Sequence, residues 1–244
     1  MLLVPGAGGA AWYWHRLVPE LQSRGHSAIA VDLPGDDETR GIHEYADLIV
    51  AAIDDRDGAI VVAQSMGGFS APMACDRHPV RLLVFLNAMI PRPGETAGEW
   101  WANTGSEEAR LAGARAGGYP SAFDLQTYFL HDVPAEAAAG GERNARNEAD
   151  IAFTQQFNVA KWPPATTLRV LAGRDDRFFP LDFQRKVARD RLGCEVDVIP
   201  GGHLVALSRP VELADRLERY AGESIQPPRG PEPDGQPDES PPRR

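Results

Sequence analysis

The run Ala59-Ile60-Val61-Val62-Ala63-Gln64-Ser65-Met66-Gly67-Gly68 carries a β-branched strand straight into a serine bracketed by small residues. A serine held in a strained turn between strand and helix needs small residues two places to either side, so that the two backbones can pass each other. Ala63 and Gly67 fill those places. The plainer account is a Gly-rich turn with a bystander serine, and the rest of the chain has to choose between the two.

Two later segments bear on that choice. Thr167-Leu168-Arg169-Val170-Leu171-Ala172-Gly173 reads as a buried strand, and Arg174-Asp175-Asp176-Arg177-Phe178-Phe179-Pro180 follows it with carboxylates on the exit loop. Cys194-Glu195-Val196-Asp197-Val198-Ile199 alternates as a last strand and leads into Pro200-Gly201-Gly202-His203. Serine, acid and histidine thus each arrive just beyond the carboxyl end of a strand, where open α/β sheets bind ligands.

On these residues the chain resembles the α/β-hydrolase superfamily, whose triad runs in the order serine, acid, histidine. The superfamily's acid usually sits in a Gly-x-x-Asp-x-x-x-Pro frame, which Gly173 and Pro180 set to Asp176. Asp175 is one residue out of register and is expected to be a solvated carboxylate paired with Arg174 or Arg177. The alternative acid position, after the strand Leu82-Leu83-Val84-Phe85-Leu86, holds Asn87-Ala88 and no carboxylate. The histidine is expected at His203, in a Gly-His turn before the last helix.

The opening strand Met1-Leu2-Leu3-Val4 runs into Pro5-Gly6-Ala7-Gly8-Gly9-Ala10-Ala11-Trp12-Tyr13-Trp14. This loop narrows the resemblance to the small plant-type methyl-ester esterases and hydroxynitrile lyases, on the esterase side. Their His-Gly-Ala loop precedes a Trp-x-Trp pair; Pro5 replaces the histidine and leaves Gly6 and Ala7 in register. The resemblance implies that the Ala7 and Met66 backbone N–H groups form the oxyanion hole. A phosphate-cradling turn is the other account of such a loop, but no Gly-Lys-Ser/Thr follows and the spacing is not that of a dinucleotide fingerprint.

With 244 residues and 43% hydrophobic content, the chain suits one α/β domain with a large core. A net charge of −10 argues against nucleic acid or anionic membrane as partners and favours a small-molecule substrate. No apolar run reaches the roughly 20 residues that span a bilayer, and no charged leader precedes the first strand, so a cytoplasmic protein is expected. Cys75 and Cys194 read as reduced thiols, with a bridge as the lesser alternative. The histidines do not cluster with metal-ligand spacing, so no metal or cofactor is expected.

Short apolar strands alternate with helices at Leu17–Arg24 and Tyr45–Ile53, which implies a mostly parallel six-stranded sheet with helices on both faces. The strand rhythm stops between Pro91 and Pro164, where the superfamily inserts a helical cap after the strand that follows the elbow helix. The expected division is a hydrolase core over 1–90 and 165–222, a cap over 91–164, and a disordered Pro-rich tail over 223–244. In the cap, Trp100, Trp101, Tyr119, Phe123, Tyr128, Phe129, Phe153, Phe157 and Trp162 either line an apolar pocket or pack the cap on the sheet, the second being the commoner fate. His131 and Asp132 either reach that pocket or satisfy turn hydrogen bonds.

Serine is a weak nucleophile unless a histidine takes its proton and an acid fixes that histidine. The expected function is therefore hydrolysis of a small, largely apolar carboxylic ester or thioester through an acyl-enzyme on Ser65. A hydroxynitrile lyase is disfavoured by Gly6 and Leu204, since those enzymes carry Thr beside the oxyanion loop and Lys after the histidine. A non-hydrolytic pathway enzyme (lyase, cyclase or thioester release) and a ligand sensor on the same fold remain open alternatives.

Overall fold

The computed structural model describes residues 1–53, 58–162 and 166–223. Of the tail expected over 223–244, Glu223 alone is described; Ser224 onward lies outside these residues, as do Pro163 and Pro164 at the end of the expected cap. Six strands are present: β1 (Leu2–Val4), β2 (Ile29–Ala30), β3 (Ile60–Gln64), β4 (Leu82–Leu86), β5 (Thr167–Gly173) and β6 (Val196–Ile199). They form one sheet in the order β2-β1-β3-β4-β5-β6, and every neighbouring pair is parallel. Because the chain leaves β1 towards β2 and leaves β3 towards β4, the carboxyl ends of β1 and β3 border the topological switch point of the sheet. Crevices of this kind bind ligands.

The strands read as unbroken apolar runs because both faces of the sheet are covered. Their period of two divides the side chains between two cores. Val61, Ala63, Leu83 and Phe85 join one cluster, with α2 (Ile42–Ile53) and α3 (Gly67–Arg77). Ile60, Val62, Leu82 and Val84 join the other, with α1 (Leu17–Ser23). β2 is an edge strand of two residues and pairs with β1 alone. α2 begins earlier than Tyr45 because the Glu44 carboxylate accepts from the Gly41 N–H at 2.8 Å and closes the first turn.

Between β4 and β5 lie α4 (Ala97–Thr104), α5 (Ser106–Gly117), α6 (Leu125–Tyr128), α7 (Ala135–Ala138), α8 (Gly141–Asn144) and α9 (Asp150–Thr154). β5 is followed by α10 (Leu181–Leu192), and β6 by α11 (Val205–Ser208) and α12 (Pro210–Gly222). α4 opens with a full capping box, Thr96 and Glu99 each accepting from the other's backbone N–H.

The two ends of this insertion are sewn together. Gly94 N donates to the Phe157 carbonyl at 2.8 Å, Phe157 N donates to the Glu95 carbonyl at 2.9 Å, and Thr96 bridges Gln156. The Glu95 carboxylate then binds Arg191 of α10 in an ion pair whose side chains are 4% and 3% exposed. Arg191 also donates to the Ile90 carbonyl at 2.6 Å, and Asn103 donates to Glu95 at 2.9 Å. Burial works against ionisation of Glu95, but the hydrogen bonds from Arg191 and Asn103 prevail and hold it below the usual carboxylate range.

A carboxyl whose pKa is lowered on folding contributes stability above its unfolded value, and that contribution is lost as pH falls through the folded value. Glu95→Gln strands a buried guanidinium and is expected to cost about 3–5 kcal/mol near neutral pH. Urea denaturation of both proteins checks this, and the gap between them should narrow in acid.

Candidate active site

Ser65 stands at the turn from β3 into α3 with φ 49°, a left-handed conformation that costs a non-glycine residue roughly 1–3 kcal/mol. The turn is pinned to the neighbouring strand end: Ser65 N donates to the Leu86 carbonyl at 3.3 Å, and the Ser65 carbonyl accepts from Met89 N at 2.9 Å. A Cβ on Gly67 would lie 2.6 Å from the Pro5 carbonyl oxygen, and one on Gly68 would lie 1.9 Å from that of Met89. Gly68 is therefore as constrained as Gly67, which the spacing rule for the turn does not bring out.

His203 Nε2 lies 3.2 Å from Ser65 Oγ, and His203 Nδ1 lies 2.9 Å from Asp176 Oδ2. His203 and Asp176 are 1% and 4% exposed. The other Asp176 oxygen accepts from the N–H groups of Phe178 and Phe179 at 2.8 and 2.9 Å, which fixes the carboxylate on its loop. A carboxylate can only accept, so the proton of a neutral imidazole sits on Nδ1 and Nε2 presents its lone pair to the serine. Asp175 points elsewhere. It pairs with Arg174 at 3.2 Å and accepts from Gly201 N at 3.2 Å.

The turn carrying His203 is held by a residue that the sequence marked only for lacking a charge. Asn87, at φ 45° just after β4, donates to the carbonyls of Gly202 and His203 at 3.0 and 3.1 Å and accepts from Gly173 N at 2.7 Å. Asp132 adds a bond from Gly202 N at 2.8 Å. His131 and Asp132 thus lie behind the histidine turn rather than in the cavity beside Ser65.

That cavity has a volume of about 160 Å³. Ser65, His203, Ala7 and Met66 lie at one side of it, and Met89, Trp101, Phe129, Phe153 and Phe178 wall the rest. Of the aromatics between β4 and β5, Trp101, Phe129 and Phe153 reach it, whereas Trp100, Tyr128 and Phe157 are fully buried and Phe123 is exposed. Phe129, Phe178 and Phe179 meet His203 edge-on, with ring centroids 4.8, 5.1 and 5.2 Å away. No Asp, Glu, Lys or Arg borders the cavity among the described residues.

The alpha/beta hydrolase family model matches residues 1–216. The chain belongs to that family. It is 27% identical to methylesterase 3 of Arabidopsis thaliana over 91% of this chain and 95% of that protein. It is 36% identical to norfluorocurarine synthase 1 of a Strychnos species over 92% and 96% of the two chains. The crystal structure of polyneuridine aldehyde esterase superposes with a TM-score of 0.72 at 19% identity, covering 90% of this chain and 98% of that one. Membership makes the chain an enzyme, and its six-stranded parallel sheet is that of the family's fold.

In this hydrolase the loop after β1 is clamped by the insertion. Gly8 N donates to Glu148 at 2.6 Å, Tyr45 donates its hydroxyl to the other Glu148 oxygen at 2.6 Å, and Arg146 pairs with Asp32, which accepts from Ala11 N at 2.9 Å. Gly8 has φ +81°, and a Cβ there would lie 2.3 Å from the Arg146 carbonyl. Glu148 carries no local motif, and nothing in the sequence signals its contact with Gly8. No group of four or more residues with metal-ligand character occurs among the described residues, nor any group of three. Both thiols are free, and burial pushes Cys75 up to about 12.

Burial holds the Glu148 carboxyl above the usual carboxylate range, although Tyr45 and Gly8 both donate to it. The cost of ionising it is absent below the unfolded pKa and fully present above the folded one, so stability falls as pH rises through that window. Glu148→Gln should therefore gain stability relative to the wild type as pH rises above the usual carboxylate range. Thermal melts across that rise check the sign, and a gain for the wild type would contradict it. Asp176→Asn is expected to lower kcat by several orders of magnitude and Asp175→Asn by less than about tenfold. Kinetics on an activated ester decide between the two carboxylates.

Proposed function

We propose that the chain hydrolyses small, neutral, largely apolar carboxylic esters or thioesters, methyl esters among them, through an acyl-enzyme on Ser65. The observation that carries this reading is the unbroken hydrogen-bonded series Ser65, His203, Asp176 at the floor of an apolar cavity. His203 Nε2 takes the Ser65 proton as Oγ attacks the carbonyl carbon, and Asp176 stabilises the imidazolium. The Ala7 and Met66 amides receive the oxyanion; each such donor is worth roughly 3–4 kcal/mol of barrier. His203 then protonates the departing alkoxide or thiolate, and water, deprotonated by the same nitrogen, releases the acid. In this scheme the segment over 91–164 acts as a cap, and its Glu148 strap fixes the loop that carries Ala7.

A cavity of about 160 Å³ is close to the size that accommodates one benzene ring, so an acyl group of about six carbons or a single aryl ring fills it. A second reading, non-hydrolytic chemistry on the same residues, is favoured by the 36% identical relative being a synthase. Water access separates the two: the acyl-enzyme scheme needs water at His203, and an ester assay reports it directly.

Ser65→Ala is expected to abolish turnover of p-nitrophenyl butyrate with the thermal melting curve intact. Across p-nitrophenyl esters of rising chain length, kcat/KM should peak near four to six carbons and fall beyond. Matched esters bearing a carboxylate should be poorer by about a hundredfold, the cost of desolvating a charge against rings. Retained activity in Ser65→Ala would overturn the nucleophile assignment.

A further inference from the structure

β3 is apolar from Ile60 to Ala63 and fully buried throughout, yet it ends in a glutamine. Gln64 is 3% exposed, and its carboxamide makes no hydrogen bond among the described residues. Asn87 and Gln184 are also buried amides and both are engaged: Asn87 makes three short bonds, and Gln184 donates to the Phe179 carbonyl at 2.7 Å although its oxygen is unpaired. Gln64 differs in lining the catalytic cavity, whose wall is otherwise built from apolar side chains, backbone and the Ser65–His203 pair. Interior amides are costly to leave unpaired, so a carboxamide of this kind points to a polar group supplied by what enters the cavity.

Its position says which group. Gln64 Oε1 and Ser65 Cβ lie 2.5 and 2.7 Å from the point a Cβ on Gly6 would occupy. The carboxamide therefore flanks the first glycine of the loop after β1, on the side of the nucleophile. In the acyl-enzyme scheme the ester oxygen faces Ala7 and Met66, and a substituent on carbon 2 that turns towards Gly6 meets the Gln64 carboxamide. A hydroxyl there both donates and accepts, as a carboxamide does, so the two can pair reciprocally.

We propose that Gln64 is a specificity-determining residue that selects small esters bearing a hydroxyl on the carbon next to the scissile carbonyl. This rests on the ester-hydrolase reading, and it narrows the substrate class from apolar esters to 2-hydroxy esters with an apolar remainder. A site built to hydrogen-bond a hydroxyl rejects the analogue lacking it more strongly than an apolar pocket distinguishes one methylene.

The test uses methyl 2-hydroxybutanoate against methyl butanoate, in the wild type and in Gln64→Met, which keeps length and volume without the amide. The wild type should favour the hydroxy ester, and the ratio of the two kcat/KM values should fall at least tenfold in Gln64→Met. A ratio unchanged by the substitution, or an equal loss on both esters, overturns the proposal; the second result would mean that Gln64 only supports the loop. Gln64→Asn, which withdraws the amide by one carbon, gives the same readout should the Met variant fail to fold. A second arm titrates 2-hydroxybutanamide and butanamide into Ser65→Ala and into Ser65→Ala with Gln64→Met. Discrimination that disappears with the amide supports the proposal even where no ester is turned over, in which case the hydrolase reading alone fails. Esters turned over without any preference for the hydroxyl leave the hydrolase reading standing and remove this one.

Discussion

Three loops leaving three different strands must converge so that Ser65, Asp176 and His203 meet within hydrogen-bonding distance, and the carboxamide of Asn87 ties the last two of those loops to the end of β4. It accepts from Gly173, where the acid loop begins, and donates to Gly202 and His203, where the histidine turn ends. The serine turn is pinned to the same strand end, through Leu86 and Met89 on either side of Asn87. The strand next to the one that ends at Ser65 thus serves as the datum for the whole site. Both Ser65 and Asn87 adopt left-handed φ values, and the strain is tolerated because parallel pairing on both sides of β3 and β4 leaves the backbone no alternative.

The insertion between β4 and β5 is fastened at two points with different electrostatics. The Glu95–Arg191 pair is a buried ion pair with its hydrogen bonds met, and it favours the charged carboxylate. Glu148 is a carboxyl served by a hydroxyl and an amide, with Arg146 nearby but paired to Asp32, and burial outweighs these to favour its neutral form. One fixes where the insertion starts and the other fixes the loop after β1. Between them the aromatic wall settles over His203, with Phe129 from the insertion meeting Phe178 from the acid loop at 4.8 Å between centroids.

What the sequence made legible was local. The strand-to-serine run, the Gly173-to-Pro180 frame and the Gly-Gly-His turn each announce themselves within ten residues, because the constraint that produces them is a turn. The six strands were legible for a related reason: a parallel sheet covered on both faces leaves unbroken apolar runs. Asn87 and Glu148 were not legible, since each acts on a partner distant in sequence that the fold brings near, and nothing local to Gln64 says that it faces the cavity. The aromatics between β4 and β5 illustrate the same limit. Composition shows rings enough for a pocket, but which of them turn inward depends on helix packing, and Trp100 is as aromatic in the core as Trp101 is in the cavity wall.

The proposed hydrolysis requires ester chemistry to pass through a covalent acyl group on Ser65. Rapid acid quench of the wild type with p-nitrophenyl butyrate, followed by intact-mass and peptide analysis, tests it directly. The account predicts a transient mass increase of one butyryl group on the peptide containing Ser65, formed together with a burst of p-nitrophenol. Turnover with no adduct, or an adduct on another residue, would contradict it.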